Sequence, residues 1–111
     1  MITNREHALM HIAIHYGEEK QVCKLIEELG EATSAASEVL MQLTFHEDSG
    51  KGTNLQARLE HLAAELADVQ NVAEQFLMMF RLKPYFDVAR MKGIDKTLQR
   101  IREEGNTCDT N

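Results

Sequence analysis

A chain of 111 residues with 43% hydrophobic content has the length of one domain and enough apolar side chains for a packed core. Its formal charge of −6 argues against a nucleic-acid-binding module, because affinity for a phosphate backbone needs clustered Lys and Arg. No apolar run is long enough to span a bilayer and no signal-peptide pattern is present, so we expect a cytoplasmic protein with no nucleic-acid or membrane partner.

The first part of the chain predicts two helices. Thr3 followed by Glu6 forms a capping box, which predicts a helix that runs to Gly17 and stops there. A second helix is expected over residues 18–45, since apolar side chains recur there at helical spacing.

A loop rich in glycine and polar residues is predicted over 46–54. At its end, Thr53 and Gln56 form another capping box, which predicts the start of a third helix through Phe80.

The fourth helix is expected to carry Pro84 in its first turn and to end near Gly105. Residues 106–111 are predicted to form a disordered tail, which leaves a single domain over 1–105. No strand pattern occurs, and four helices with short connections predict an all-α four-helix bundle. We expect the first two helices and the last two to pack as antiparallel hairpins.

The two long helices each carry an apolar stripe, which predicts the face that enters the core. On the second helix the stripe consists of Val22, Leu25, Ile26, Leu29, Thr33, Ala36 and Leu40. On the third helix it consists of Leu59, Leu62, Leu66, Val69, Ala73, Phe76 and Phe80.

Two acidic pairs carry the strongest functional signal. Glu28 with Glu31, and Glu65 with Asp68, are each three residues apart and therefore lie on one side of a helix. If the two helices meet, the pairs form a cage of oxygen atoms, which are the ligands that a hard cation such as Mg²⁺ requires. Carboxylates that converge without a cation are strongly disfavoured. The pattern therefore favours a metal site.

The alternative is a solvated acidic surface, which is the usual role of acidic residues at helical spacing. Glu28 and Glu31 point away from the apolar stripe of their helix, so this interpretation stays open for them. Glu65 lies on the shoulder of the third-helix stripe, where a partly desolvated carboxylate needs a positive partner.

Four short motifs follow one another along the chain: Gly17-Glu18-Glu19-Lys20-Gln21, Glu27-Glu28-x-x-Glu31, Glu65-x-x-Asp68 and Lys96-x-x-x-Arg100-x-Arg102. In this combination they resemble the MazG-like family of all-α nucleoside triphosphate pyrophosphohydrolases, whose wider superfamily includes the dimeric dUTPases. The resemblance extends from about Gly17 to Glu103. It implies a MazG-like bundle that assembles as a homodimer or homotetramer.

The resemblance also implies an activity and its residues. Such proteins hydrolyse a nucleoside triphosphate to the monophosphate and pyrophosphate, and house-cleaning of nucleotide pools is one role for that reaction. The metal would be Mg²⁺, with Mn²⁺ as an alternative, and its ligands would be Glu28, Glu31, Glu65 and Asp68.

The remaining site residues are predicted from their places beside these motifs. Glu27 is a candidate general base for the attacking water, and a solvated side chain is the alternative. Lys96 and Arg100 form part of a basic row that is either solvated or binds the outer phosphates. The expected substrate-binding residues are Gln21, Lys24, Asn71, Lys96 and Arg100.

A non-catalytic helical interaction module remains a second interpretation. It would use the same apolar stripes to bind a partner, and the six methionines would suit an adaptable surface.

Overall fold

The computed structural model of the protein describes residues 2–45 and 54–109, and within them it is all-helical. The helices are α1 (Asn4–Tyr16), α2 (Glu18–Phe45), α3 (Asn54–Met79) and α4 (Lys83–Asp109). The described part contains no strand, which confirms the predicted all-α class. None of the described helices is both long and apolar enough to cross a membrane.

Both ends of α1 are set by the predicted residues. The Thr3 hydroxyl accepts a hydrogen bond from the Glu6 N–H at 3.0 Å, and the Glu6 carboxylate accepts one from the Thr3 N–H at 2.9 Å. Gly17 ends the helix with φ 83°, a conformation that side chains with a Cβ rarely adopt. The capping box and the glycine stop are therefore confirmed.

The predicted bounds of α2 are confirmed, and α3 ends at Met79, close to the predicted Phe80. The predicted loop falls almost wholly on residues 46–53, which lie outside the described residues, and so does the Thr53 cap. A tight turn with Arg81 at φ 55° follows α3, and Pro84 lies in the first turn of α4 as predicted.

The predicted end of α4 is wrong. The helix passes through Gly105 and continues to Asp109, so the range 106–111 is helical over most of its length, and residues 110–111 lie outside the described part. A glycine weakens a helix by about 1 kcal/mol but ends it only when its backbone turns left-handed. Gly105 has no positive φ, whereas Gly17 does.

The central contact of the fold is between α2 and α3, and α1 packs mainly on α3. Glu28 lies near Glu65, while the Arg58 side chain donates to the carbonyl oxygen of Glu38, so the two helices run antiparallel. This result corrects the expected pairing of the first two helices and of the last two. The central hairpin is the middle pair, because the buried surface of both long helices lies between them.

The face of α2 that packs against α3 differs from the predicted one. The buried residues of α2 are Gln21, Glu28, Ala32, Ala35, Val39 and Gln42. The predicted apolar stripe is instead mostly exposed, with Ile26 at 65% and Leu40 at 63% exposure, while Leu25 is half-buried. The alanine-bearing face is the buried one because small side chains let the two helix backbones approach closely. Ala35 on this face is only 1% exposed.

The stripe of α3 is also only partly covered. The buried residues of α3 are Val72 and Gln75, and neither belongs to the predicted stripe. Within the stripe Leu59 and Leu66 are exposed, and the other members are mostly half-buried. The predicted core faces of both long helices are thus corrected, because a helical period identifies an apolar stripe without identifying what covers it.

The fourth helix makes few contacts with the rest of the chain. Every described side chain from Lys83 to Gly105 is exposed, and α4 contacts α3 alone among the described helices, over a small area. The radius of gyration is 18.8 Å, whereas a compact domain of this length has roughly 13 Å. A complete four-helix bundle of the MazG-like type stays a prediction, since α4 does not close against the other three helices in one chain.

The cap of α1 gives a first testable prediction. Thr3→Ala should lower the free energy of unfolding by about 1 kcal/mol, because the Glu6 N–H loses its acceptor. Urea denaturation at fixed protein concentration measures the change. Ser34→Ala, at an exposed position inside α2, is the matched control and should leave stability unchanged or slightly higher. Equal losses in both variants would contradict the capping role.

Candidate metal centre and adjoining cleft

Three carboxylates converge between α2 and α3. Glu28 and Glu31 project from neighbouring turns of α2, and Glu65 projects from the facing side of α3. One carboxylate oxygen from each residue lies within 4.8 Å of those of the other two. We call Glu28, Glu31 and Glu65 the carboxylate cluster.

Glu28 is buried by the close approach of the two helices. Only 5% of the residue is exposed, because it lies on the same face of α2 as Ala32 and Ala35. Lys24 Nζ lies 3.0 Å from Glu28 Oε1 and neutralises part of the charge. The Lys24 side chain is 50% exposed, so the pair is buried only at its Glu28 end. The Glu28 carboxylate still needs further hydrogen bonds to offset its desolvation.

Two buried oxygen atoms of the cluster have no partner among the described residues. They are Oε2 of Glu28 and Oε2 of Glu65. The other oxygen of Glu65, Oε1, lies 3.8 Å from Nε2 of His61. Burying carboxylate oxygens without a partner costs free energy, and a positively charged ligand bound at the cluster would offset that cost.

The charge of the cluster changes the pKa of two side chains. The Glu28 carboxylate raises the pKa of Glu31 above its ordinary 4.5, and desolvation and a hydrogen bond with Glu65 raise it further. The hydrogen bond to Glu28 raises the pKa of Lys24, and the charge of Glu27 adds to this effect. The negative charge of neighbouring glutamates contributes to both pKa shifts.

The donor atoms suit a hard divalent cation. All three residues offer oxygen, and Mg²⁺ binds oxygen at about 2.1 Å, so opposite ligands around it lie about 4 Å apart. The oxygens of the cluster lie within 4.8 Å of one another, a limit close to this separation. Small side-chain rotations would bring the oxygens to bonding distance, and water or substrate oxygens would fill the remaining positions.

The fourth predicted ligand, Asp68, is not brought into the cluster. It is exposed, and it lies one turn beyond Glu65 on α3. The structure therefore brings together three of the four predicted ligands.

A cleft of about 350 Å³ lies next to the cluster, between α1, α2 and α3. Predicted site residues Gln21, Lys24 and Glu27 lie side by side along its α2 wall, and Lys24 connects the cleft to Glu28 through their ion pair. The full lining is Ile12, Tyr16, Lys20, Gln21, Cys23, Lys24, Glu27, Val72 and Gln75.

The cleft contains residues that the sequence did not single out. Tyr16 and Ile12 reach it from α1, and Val72 and Gln75 reach it from α3. Gln21 and Gln75 are 2% and 5% exposed, so two side-chain amides are held inside the hairpin beside an apolar wall. Only the packing of α1 against the hairpin brings these residues together, and no local pattern indicates them.

Three predicted substrate-binding residues lie elsewhere. Asn71 is exposed on α3 and does not line this cleft. Lys96 and Arg100 are exposed on α4, which makes no contact with α2. Within one chain, α4 does not carry this basic row onto the carboxylate cluster.

Comparison of the chain with family models, with curated proteins and with solved structures finds no match in any of the three. The carboxylate cluster and the cleft beside it therefore carry the functional argument by themselves.

The raised pKa of Glu31 predicts a pH-dependent stability. A carboxyl that holds its proton more tightly when folded favours folding below its ordinary pKa of 4.5, and this contribution is lost as pH rises through the raised value. In metal-free buffer, Glu31→Gln should therefore gain stability relative to the unmodified protein as pH rises from 4.5 to 7.

Urea denaturation at each pH, compared between the two proteins, measures this difference. Glu38→Gln changes an exposed glutamate of α2 outside the cluster and serves as the matched control. An identical pH dependence in the unmodified protein and Glu31→Gln would show that Glu31 carries no excess charge repulsion.

Proposed function

We propose that the protein is a Mg²⁺-dependent nucleoside triphosphate pyrophosphohydrolase of the MazG-like type, which converts a (d)NTP to the (d)NMP and pyrophosphate. One observation carries the proposal: three carboxylates from two helices converge, and two of their buried oxygens have no partner among the described residues. Solvated acidic side chains would not leave oxygens buried in this way.

Four residues would hold the metal in this proposal. Glu28, Glu31 and Glu65 provide the converging oxygens, and Asp68, one helical turn from Glu65, would be the fourth ligand. Bound Mg²⁺, or Mn²⁺ in its place, would neutralise charge on the phosphate oxygens.

The cleft supports a nucleotide as the substrate. Its volume of about 350 Å³ falls within the range of roughly 300–1,000 Å³ for small-molecule sites. Ile12, Tyr16 and Val72 offer an apolar surface for a base, and the buried amides of Gln21 and Gln75 offer hydrogen bonds that fix its orientation. Lys24 lies between this cleft and the cluster, where its charge faces the phosphates.

Glu27 is the proposed general base. It is exposed in the cleft and stands next to Glu28 in the chain, so its carboxylate can take a proton from water beside the phosphates. The water oxygen bonds to the α-phosphorus, the bond from that phosphorus to the bridging oxygen breaks, and pyrophosphate leaves. The roles of Asn71, Lys96 and Arg100 in substrate binding stay predictions.

The reaction gives the main test of this proposal. Purified protein should release pyrophosphate from at least one canonical or modified triphosphate in Mg²⁺, with the monophosphate as the other product, and EDTA should abolish the reaction. Glu28→Gln and Glu65→Gln should each lower the rate by more than about 100-fold. Removing a residue that only hydrogen-bonds to a metal ligand lowers activity by about 10–100-fold, and removing a ligand itself should lower it further.

Glu38→Gln is the control for these variants and should retain the rate of the unmodified protein, and circular dichroism should show equal helix content in all four proteins. A diphosphate product would contradict the proposed site of attack. Absence of hydrolysis across the whole panel, in protein with full helix content, would leave the non-catalytic interaction module as the better interpretation.

A further inference from the structure

The α2–α3 hairpin holds two side-chain amides at one level. Glu31 and Glu65 face each other across the hairpin, and Gln21 and Gln75 each lie ten residues from them, in opposite chain directions. Because the helices run antiparallel, both steps lead to the same level of the hairpin. We call Gln21 and Gln75 the amide pair. Both side chains line the cleft between α1, α2 and α3, and the residues are 2% and 5% exposed.

The amide pair has no hydrogen-bond partner among the described residues. Oε1 of Gln21 is buried and accepts no hydrogen bond, and the two amides do not bond to each other. Amides kept only to align two helices would bond to each other, as buried polar groups do in folded proteins. A buried amide without a partner costs free energy. The pair therefore indicates a ligand that supplies the missing hydrogen bonds from the cleft.

The distance between the amide pair and the carboxylate cluster suits a nucleotide. Gln21 and Glu28 are buried on the same face of α2, seven residues apart, which is about 10 Å along the helix at 1.5 Å per residue. Lys24 lies between them and lines the cleft. With the phosphates at the metal, the sugar would cross this distance and bring the base to the amides.

We infer that the cleft selects triphosphates whose base carries an exocyclic amino group beside a ring nitrogen, as cytosine and adenine do, and that Oε1 of Gln21 accepts a hydrogen bond from that amine. Because the occupant is taken to be a nucleotide, the inference rests on the proposed function. It adds the class of base, which the carboxylate cluster does not determine.

The unpaired oxygen is what distinguishes the bases. A side-chain amide oxygen only accepts hydrogen bonds, so its complement is an N–H donor. An amide N–H can donate to the ring nitrogen beside the amine, and a glutamine amide pairs with adenine by two such bonds. Uracil, thymine, guanine and hypoxanthine carry a carbonyl oxygen in place of this amine. That oxygen would face Oε1 of Gln21 and leave both acceptors unpaired, which a buried site penalises strongly.

The test compares nucleotides that differ at this edge of the base. The ligands are analogues of dCTP and dUTP, and of dATP and dITP, in which an imido group replaces the α,β-bridging oxygen and prevents hydrolysis. Titration calorimetry in Mg²⁺ measures their affinities for the unmodified protein. The amino member of at least one pair should bind at least about 10-fold more tightly than its keto partner. Equal affinity within both pairs, a keto preference in either pair, or no binding of any analogue would overturn the inference.

A variant then assigns the preference to its residue. Gln21→Met keeps the length of the side chain and removes the acceptor, so both members of each pair should bind equally. The variant should unfold at the same or a higher urea concentration, because an unpaired buried amide has been removed. Gln56→Met, at an exposed position of α3 outside the cleft, is the matched control and should keep the preference. An amino preference that persists in Gln21→Met would overturn the role of Gln21.

Hydrolysis of the natural triphosphates, measured separately, distinguishes this inference from the proposed function. Turnover of dCTP, dUTP, dATP and dITP with equal kcat/KM would support the proposed function and overturn the base selection. Binding with an amino preference, in protein that hydrolyses none of the four, would support the base selection and contradict the proposed function.

Discussion

The close packing of α2 on α3 is the contact on which the rest of the structure depends. Ala32 and Ala35 bring the two backbones together, and the same face of α2 carries Glu28 into the space opposite Glu65. The interaction that holds the hairpin together therefore also places carboxylates where water cannot fully solvate them. Stability is given up at this point, since a buried apolar residue in place of Glu28 would pack without the repulsion.

This loss of stability from buried carboxylates is the physical reason to propose a metal site. Lys24 pairs with one oxygen of Glu28, His61 stands near one oxygen of Glu65, and the remaining buried oxygens have no partner among the described residues. The repulsion also raises the pKa of Glu31. A bound divalent cation would remove both effects, and the cleft that begins at Lys24 gives a nucleotide a place beside it.

Much of the fold could be predicted from local signals in the sequence. The capping box at Thr3, the left-handed Gly17 and the bounds of α2 follow from short-range rules, and the structure confirms them. The burial of the long helices could not be predicted, because a period of 3.6 residues locates the apolar stripe but not the helix that covers it. On α2 the stripe around Ile26 is exposed, while the polar and alanine-rich face is buried.

Only part of the candidate site could be predicted from the sequence, for the same physical reason. The spacing of the acidic residues predicted two pairs, Glu28 with Glu31 and Glu65 with Asp68, but not that the two helices meet. The α2–α3 hairpin brings Glu65 to the first pair and leaves Asp68 outside the cluster. Tyr16 and Gln75 could not be predicted, since they meet only after α1 packs against the hairpin. Lys96 and Arg100 could be placed on one side of α4, but their distance from the cluster depends on a packing partner that α4 lacks in one chain.

The central claim is that the carboxylate cluster holds a divalent cation. Anomalous diffraction at the manganese absorption edge, from crystals grown with Mn²⁺, tests it most directly. The account predicts a manganese peak within bonding distance of oxygens from Glu28, Glu31 and Glu65. Crystals in which the cluster is accessible and shows no peak, or in which manganese binds only at other acidic residues, would contradict it.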